Sequence, residues 1–155
     1  MIDVKTLPNK DEDKNTTSHK FKQDLIEFFK GKNLKSCLEV GTNRGYSTLV
    51  LSHIFDWVTT MEIDNDNIEF AKNVCKDREN IEFLQKDVYQ WNWNFPNFDV
   101  VFIDCRHDYQ GVKQDYNNAC DLEPQYIVFD DYGLPENHPA VKECVDDILS
   151  QSDYW

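Results

Sequence analysis

No apolar run in the sequence approaches the roughly 18 residues that a membrane-spanning helix needs, so a membrane partner is not expected. The opening stretch, MIDVKTLPNKDEDKN, lacks the apolar core of a secretory signal. Positive charge is the scarce sign: 16 Lys and Arg stand against 29 Asp and Glu, for a net charge of -13 and a pI near 4.5. Such a surface repels phosphate backbones, which excludes nucleic acid unless a local basic patch exists. Lys10, Lys14, Lys20, Lys22, Lys30, Lys32 and Lys35 thicken the N-terminal part, but acids interrupt them, and they read as solvated charge. No Cys-x-x-Cys pair is present, and the five cysteines (Cys37, Cys75, Cys105, Cys120, Cys144) are odd in number. This argues against a disulfide framework and against a zinc site, and points to a reducing, cytoplasmic compartment.

What is present is enough for one compact domain. The chain has 155 residues, 40% of them hydrophobic and 14% aromatic, which rules out a disordered protein and allows a real core. Residues 1–16 are polar and expected to be a flexible segment, leaving 17–155 as a single domain. TTSHKFKQDLIEFFKGK then reads as a helix with a Thr or Ser cap, with Phe21, Leu25, Phe28 and Phe29 on one face and Gly31 as its stop. Strand-like and helix-like stretches alternate from there on. Strands are predicted at 35–40, 57–63, 80–85, 98–104 and 126–131, and helices at 45–55, 66–77, 109–122 and 138–151, the last with Pro139 in its first turn. This alternation implies βαβ units, a parallel sheet and a doubly wound, Rossmann-like α/β domain. Ligands in such sheets bind beyond the carboxyl ends of the strands.

The residues that end each strand are therefore the informative ones. The first strand runs into LEVGTNRGYS, where Gly41 allows a tight turn and Gly45 opens the next helix. The middle glycine of a phosphate-binding Gly-x-Gly-x-x-Gly is missing, and Glu39 would repel a pyrophosphate, so a cationic ligand suits the turn better. An ordinary βα turn accounts for the same glycines. The second strand ends in TTMEIDND, where an acid can accept hydrogen bonds from both hydroxyls of a ribose; Glu62 is the first choice and Asp64 the reserve. Helix capping explains Asp64 or Asp66 equally simply. Asp87, after the third strand, stands where an adenine amino group could be read, or caps a short helix. An acid at each of three successive strand ends is more specific than any one of them.

The fourth and fifth strands end in FIDCRH and VFDDYG. Parallel neighbours lie about 4.8 Å apart, so Asp104, Asp130 and Asp131 can converge. Three such carboxylates repel one another and raise each other's pKa unless a cation joins them. A divalent ion with oxygen ligands, Mg²⁺ above all, removes the conflict. Tyr89, Trp91 and Trp93 alternate in the aromatic segment 89–98, which either packs into the core, walls a planar substrate or meets another copy of the chain.

These motifs resemble the class I S-adenosylmethionine-dependent methyltransferases from about Leu34 to Leu149. LEVGTNRGYS is similar to their first motif and TMEIDND to their ribose-binding motif. The closest likeness is to the small-molecule O-methyltransferases of the catechol, macrolide-sugar and cephalosporin types, whose Ile-Asp-x-x-His-x-Tyr pattern stands here as Ile103, Asp104, His107 and Tyr109. The resemblance implies S-adenosylmethionine held by Glu39, Gly41, Gly45, Ser47, Glu62, Asp87 and Asp104. It implies a metal on Asp104, Asp130 and Asp131, and a hydroxylated small-molecule substrate. It also makes His107 a general base, a task that suits an imidazole with an ordinary pKa of about 6.5. Tyr109 is expected to pack rather than react, and His19, His53 and His138 have no comparable setting. The resemblance further implies strand order 3-2-1-4-5. The chain reaches Trp155 just after the last helix, so the family's C-terminal antiparallel hairpin is expected to be missing. The fifth strand is then an edge that a partner copy could cover. A reduced, non-catalytic S-adenosylmethionine-binding module working with a partner chain would keep the acids of strands one and two but has no need of His107 or the Asp pair. A dehydrogenase is disfavoured by the missing glycine.

Overall fold

A computed structural model describes residues 2–7, 16–90, 93–134 and 136–151. The elements run α1 (His19–Phe29), β1 (Ser36–Val40), α2 (Tyr46–Ile54), β2 (Trp57–Glu62), α3 (Asn65–Val74), β3 (Ile81–Gln85), β4 (Val100–Ile103), α4 (Tyr109–Cys120), β5 (Tyr126–Phe129) and α5 (Pro139–Gln151). The five strands form one sheet in the order β3-β2-β1-β4-β5, and every neighbouring pair is parallel. Both the order and the α/β class are as the sequence predicts. No described helix is long and apolar enough to cross a membrane. β5 ends the sheet among the described residues, and no strand follows it as far as Gln151.

Strand parity sorts the core onto the two faces of the sheet. Leu38, Val40, Met61, Val101 and Ile103 pack on one face with Trp93 and Phe98. Cys37, Val58, Val100 and Phe102 pack on the other with Leu25, Phe29, Leu51 and Phe55 from α1, α2 and the turn after it. A side chain such as Phe102, fully buried, stabilises the fold by about 2–3 kcal/mol. β1 and β4 are buried at nearly every position, as expected of central strands covered on both sides.

Local chemistry sets the helix ends. Ser18 caps α1 by accepting the Phe21 N–H at 3.1 Å, and Gly31, with φ +76°, follows its C-terminus. Asp64 caps α3 through the N–H groups of Asp66 and Asn67, and Asp108 caps α4 through that of Gly111. One expectation about α1 needs correcting. Phe28 is 52% exposed, and Lys22 takes the inward position beside Leu25, Ile26 and Phe29. A turn of 3-10 helix at Val4–Thr6 buries Val4 and Leu7 against Ile26 and Val50. Residues 8–15, Trp91 and 152–155 lie outside the described residues.

Candidate active site

Hydrogen bonds carry the sheet ladder one residue past the strands, and this pins the residues that matter. The Asp104 N–H donates to Val40 O at 2.9 Å, and the Asp130 N–H to Ile103 O at 3.0 Å. The Gly41 N–H donates to Met61 O at 3.0 Å. Each acid thus leaves the sheet at a height set by the neighbouring strand. Gly41 has φ +101°, and a Cβ there would overlap the Asp104 carbonyl oxygen. The need for glycine is therefore the close approach of β1 and β4. Gly45, with φ +76°, faces α3, where a Cβ would stand 2.6 Å from that of Ala71.

The half over β1 and β2 contains Glu62. Its carboxylate accepts the N–H groups of Asn43 at 2.8 Å, Ile63 at 2.9 Å and Asp64 at 3.0 Å. It ties the β1–α2 loop to the end of β2, and its carboxylate oxygens retain lone pairs for further donors. Asp64, the reserve, is engaged in capping. Glu39 lies elsewhere than its sequence position suggests. It shares strand parity with Cys37, so its fully buried side chain enters the face covered by α2. Its Oε2 accepts the hydroxyls of Thr48 at 2.5 Å and Thr60 at 2.6 Å, and its Oε1 has no partner. Burial raises its pKa to about 7 against the pull of the Thr48, Thr60 and Ser47 hydroxyls, and Asp104 adds to the rise. Glu39 and Ser47 therefore brace the turn from beneath. Asp87 accepts the Tyr89 N–H at 3.0 Å and so organises the turn after β3.

The half over β4 and β5 is the acidic corner. Asp104, Asp130 and Asp131 bring carboxylate oxygens within 4.8 Å of one another. Thr17 donates its hydroxyl to Asp130 at 3.0 Å, with Asp104 Oδ2 at 3.5 Å. The buried Lys22 amine donates to the Thr17 carbonyl. Desolvation, then the charges of Asp104 and Asp131, lift Asp130 to about 7. His107 Nε2 stands 2.9 Å from Asp131 Oδ2 and 3.7 Å from Asp104 Oδ1. Asp104 and Asp131 raise its pKa to about 10, so at neutral pH this imidazole is protonated and pairs with them. Its expected role as a base requires that this carboxylate charge be neutralised by another cation.

Three residues of this region escape the sequence. Thr17 precedes α1, and nothing in its neighbours marks it. His138 follows a loop after β5, yet its Nε2 reaches 3.6 Å from Asp131 Oδ2. Asp115, fully buried on α4, accepts the Tyr89 hydroxyl at 3.1 Å, and burial lifts its pKa to about 7. The Arg106 guanidinium covers the Tyr89 ring at 4.9 Å. Tyr109 packs as expected, its hydroxyl donating to Asp147 at 2.8 Å. In the aromatic segment Trp93 is buried and donates to Val88 O at 3.0 Å, which is core packing.

A family model described as "Methyltransferase domain" matches residues 38–132. No curated protein matches the sequence. Among solved structures, an O-methyltransferase from Bacillus cereus in complex with SAH is 22% identical with a TM-score of 0.64, the match covering 85% of this chain and 68% of that one. The O-methyltransferase TomG from Streptomyces achromogenes, involved in tomaymycin synthesis and solved with SAM, is 17% identical with a TM-score of 0.68, covering 89% and 71%. The N-methyltransferase NodS from Bradyrhizobium japonicum is 14% identical with a TM-score of 0.66, covering 84% and 80%. The shared fold thus accommodates both oxygen and nitrogen acceptors.

Proposed function

The chain belongs to this methyltransferase-domain family, and from that premise we propose that it is an S-adenosylmethionine-dependent O-methyltransferase, assisted by a divalent cation, that acts on a hydroxyl of a small molecule. The observation that carries the reading is the corner. Asp104, Asp130, Asp131 and His107 converge at the carboxyl ends of two adjacent strands, pressed against the Gly41 turn. Glu62 supports the cofactor assignment, because its carboxylate stands at the end of β2 with acceptor capacity left for ribose hydroxyls. Gly41, Gly45, Ser47 and Glu39 shape the turn beside it, and Asp87 shapes the adenine end. The donor set Asp104, Asp130 and Asp131, all carboxylate oxygen, fits a hard ion such as Mg²⁺.

S-adenosylmethionine supplies an electrophilic methyl group on a sulfonium that leaves as a neutral thioether, so the protein has no strong acid to provide. A divalent ion held by Asp104, Asp130 and Asp131 would supply positive charge that acidifies the substrate hydroxyl. His107 would accept the proton of the substrate hydroxyl, with Asp131 orienting the imidazole. Neutralising the carboxylates removes the cause of the raised His107 pKa and returns the ring to the range in which it can accept a proton. Thr17, just before α1, hydrogen-bonds to Asp130 and stands beside Asp104.

The same ion pair supports a second reading. A His107 that stays protonated cannot act as a base, and the chain is then a non-catalytic S-adenosylmethionine-binding module working with a partner. Calorimetric titration with S-adenosylmethionine, with and without Mg²⁺, combined with a screen of phenolic and sugar hydroxyl acceptors using labelled cofactor, separates the two. The enzyme reading expects labelled product that disappears in EDTA. Replacement of His107 by Ala should then slow transfer by about 10²–10⁴-fold while the cofactor still binds. Cofactor binding with no transfer to any acceptor supports the module. Full activity in EDTA removes the cation from the mechanism.

A further inference from the structure

We propose that His107, Asp131 and His138 form a second metal site, for a borderline transition ion such as Zn²⁺, which overlaps the oxygen-lined corner through Asp131. The donor atoms of the three residues lie within 4.8 Å of one another. Both imidazoles direct Nε2 at the same oxygen, Asp131 Oδ2, from 2.9 Å and 3.6 Å. Metal–ligand bonds of about 2.0–2.1 Å at tetrahedral angles separate ligand atoms by about 3.3 Å, and the two distances bracket that value. The rings lie against each other, with centroids 4.2 Å apart and planes inclined by 38°. Two imidazoles so placed bring two nitrogen donors to one carboxylate oxygen. One ion satisfies both nitrogen lone pairs and the carboxylate together.

The backbone holds this arrangement. Asp131 has φ +61°, a left-handed conformation that is unfavourable for a non-glycine residue. Linked turns follow: the Leu134 N–H donates to Asp131 O at 3.0 Å, and the His138 N–H to Leu134 O at 2.9 Å. These set the reach of His138 back to the carboxylate before α5 begins. The side chains of His107 and His138 are 39% and 31% exposed, which leaves an ion a path in and room for water as a further ligand. Cysteine spacing does not bear on this donor set. Imidazole nitrogen suits Zn²⁺ or Co²⁺, whereas Mg²⁺ prefers the all-oxygen set beside it. Because Asp131 belongs to both sets, the two ions compete for its carboxylate. Resting on the catalytic reading above, the further consequence is that a bound Zn²⁺ takes the His107 lone pair away from proton transfer and inhibits the enzyme.

The test uses Co²⁺ on the full chain, read by its visible absorption, with S-adenosylmethionine titrated in parallel. One Co²⁺ should bind with the absorption of a nitrogen-containing site. Equimolar Zn²⁺ should displace it, while a large excess of Mg²⁺ should displace it poorly. His138→Gln should weaken Co²⁺ binding by at least about tenfold with the cofactor titration unchanged. Asp104→Asn should weaken Mg²⁺ binding with little effect on Co²⁺. Wild-type Co²⁺ affinity in both His138→Gln and His138→Ala overturns the site, as does displacement of Co²⁺ by Mg²⁺ as readily as by Zn²⁺. Either failure leaves the cofactor and Mg²⁺ titrations to stand or fall separately, so it is distinguishable from failure of the catalytic reading.

Discussion

The two edges of the sheet treat carboxylates in opposite ways. At the edge where β4 begins, Asp99 accepts the N–H groups of Lys35 at 2.6 Å and Ser36 at 3.0 Å and the Gln125 amide at 3.1 Å. The Lys35 N–H leads these donors in holding its pKa below the usual carboxylate range. At the edge where β4 and β5 end, Asp130 has the Thr17 hydroxyl, while desolvation and two neighbouring acids lift it to about 7. Asp99 ties the start of β1 to the turn before β5, and the fold gains from its charge. Asp130 is charged at the expense of the fold. That is the mark of a group whose charge is wanted for something else, a ligand cation in this case. Glu62 stands between the two, anchored by backbone like Asp99 but placed at the ligand edge like Asp130.

Four changes test this contrast, and the largest effect is expected at the joint of the ligand edge. Gly41→Ala puts a Cβ into the Asp104 carbonyl at a positive φ, and neither backbone can give way cheaply. A loss of about 3 kcal/mol or more in denaturant unfolding is expected, with loss of cofactor and metal binding together. A stability within 1 kcal/mol of wild type would mean that the two strands do not press together there.

Glu62→Ala removes the acceptor of three backbone N–H groups and the candidate ribose ligand. Calorimetry should show cofactor binding weakened by about 1.5–3 kcal/mol. Unchanged affinity would leave Glu62 a loop anchor like Asp99, with no role toward the cofactor.

Asp130→Asn should act in the opposite direction on stability. The folded pKa of Asp130 is raised, so its contribution is fully present below about pH 4 and is lost as pH rises through about 7. In chelator, the Asn variant should match wild type near pH 4 and exceed it by on the order of 2 kcal/mol at pH 8. Equal stability at both pH values would show that Asp130 carries no unfavourable charge. The same variant should bind Mg²⁺ more weakly.

Asp99→Asn completes the comparison with the smallest effect. Its folded pKa is depressed, so its stabilisation is present at neutral pH and is lost as pH falls below about 4. Solvent screening limits the loss at pH 7 to about 1–2 kcal/mol. Cofactor titration should be unaffected, and a change there would erase the distinction between the edges.

The alternation of strands and helices and the acids that end the strands are legible in the sequence, because each depends on neighbours a few positions away, whereas the strand order 3-2-1-4-5 is what the family resemblance implies. A strand ends where its apolar run ends, and the acid that ends it projects from the sheet. Glu39 shows where this reasoning needs one more step. It precedes the strand end by one residue, and its parity with Cys37 already sends it into the covered face. Thr17, Lys22 and His138 were not legible at all. Thr17 meets Asp130 across 113 positions of sequence, a contact that no local pattern announces. The tight turn at Gly41 is legible in the sequence, but the contact that also demands glycine there, with the backbone of Asp104 just after β4, is not.

What the sequence by itself determined is the set of elements, the faces they bury and the acids that terminate them, because period, capping and strand length are short-range physics. Only the tertiary structure decided the charge each acid holds. That charge depends on which groups the crossovers bring within a few ångströms: N–H donors around Asp99, other carboxylates around Asp130, and two imidazoles around Asp131. Electrostatic energy varies with distance and burial rather than with separation along the chain, so the chemistry of the corner exists only once the sheet has closed.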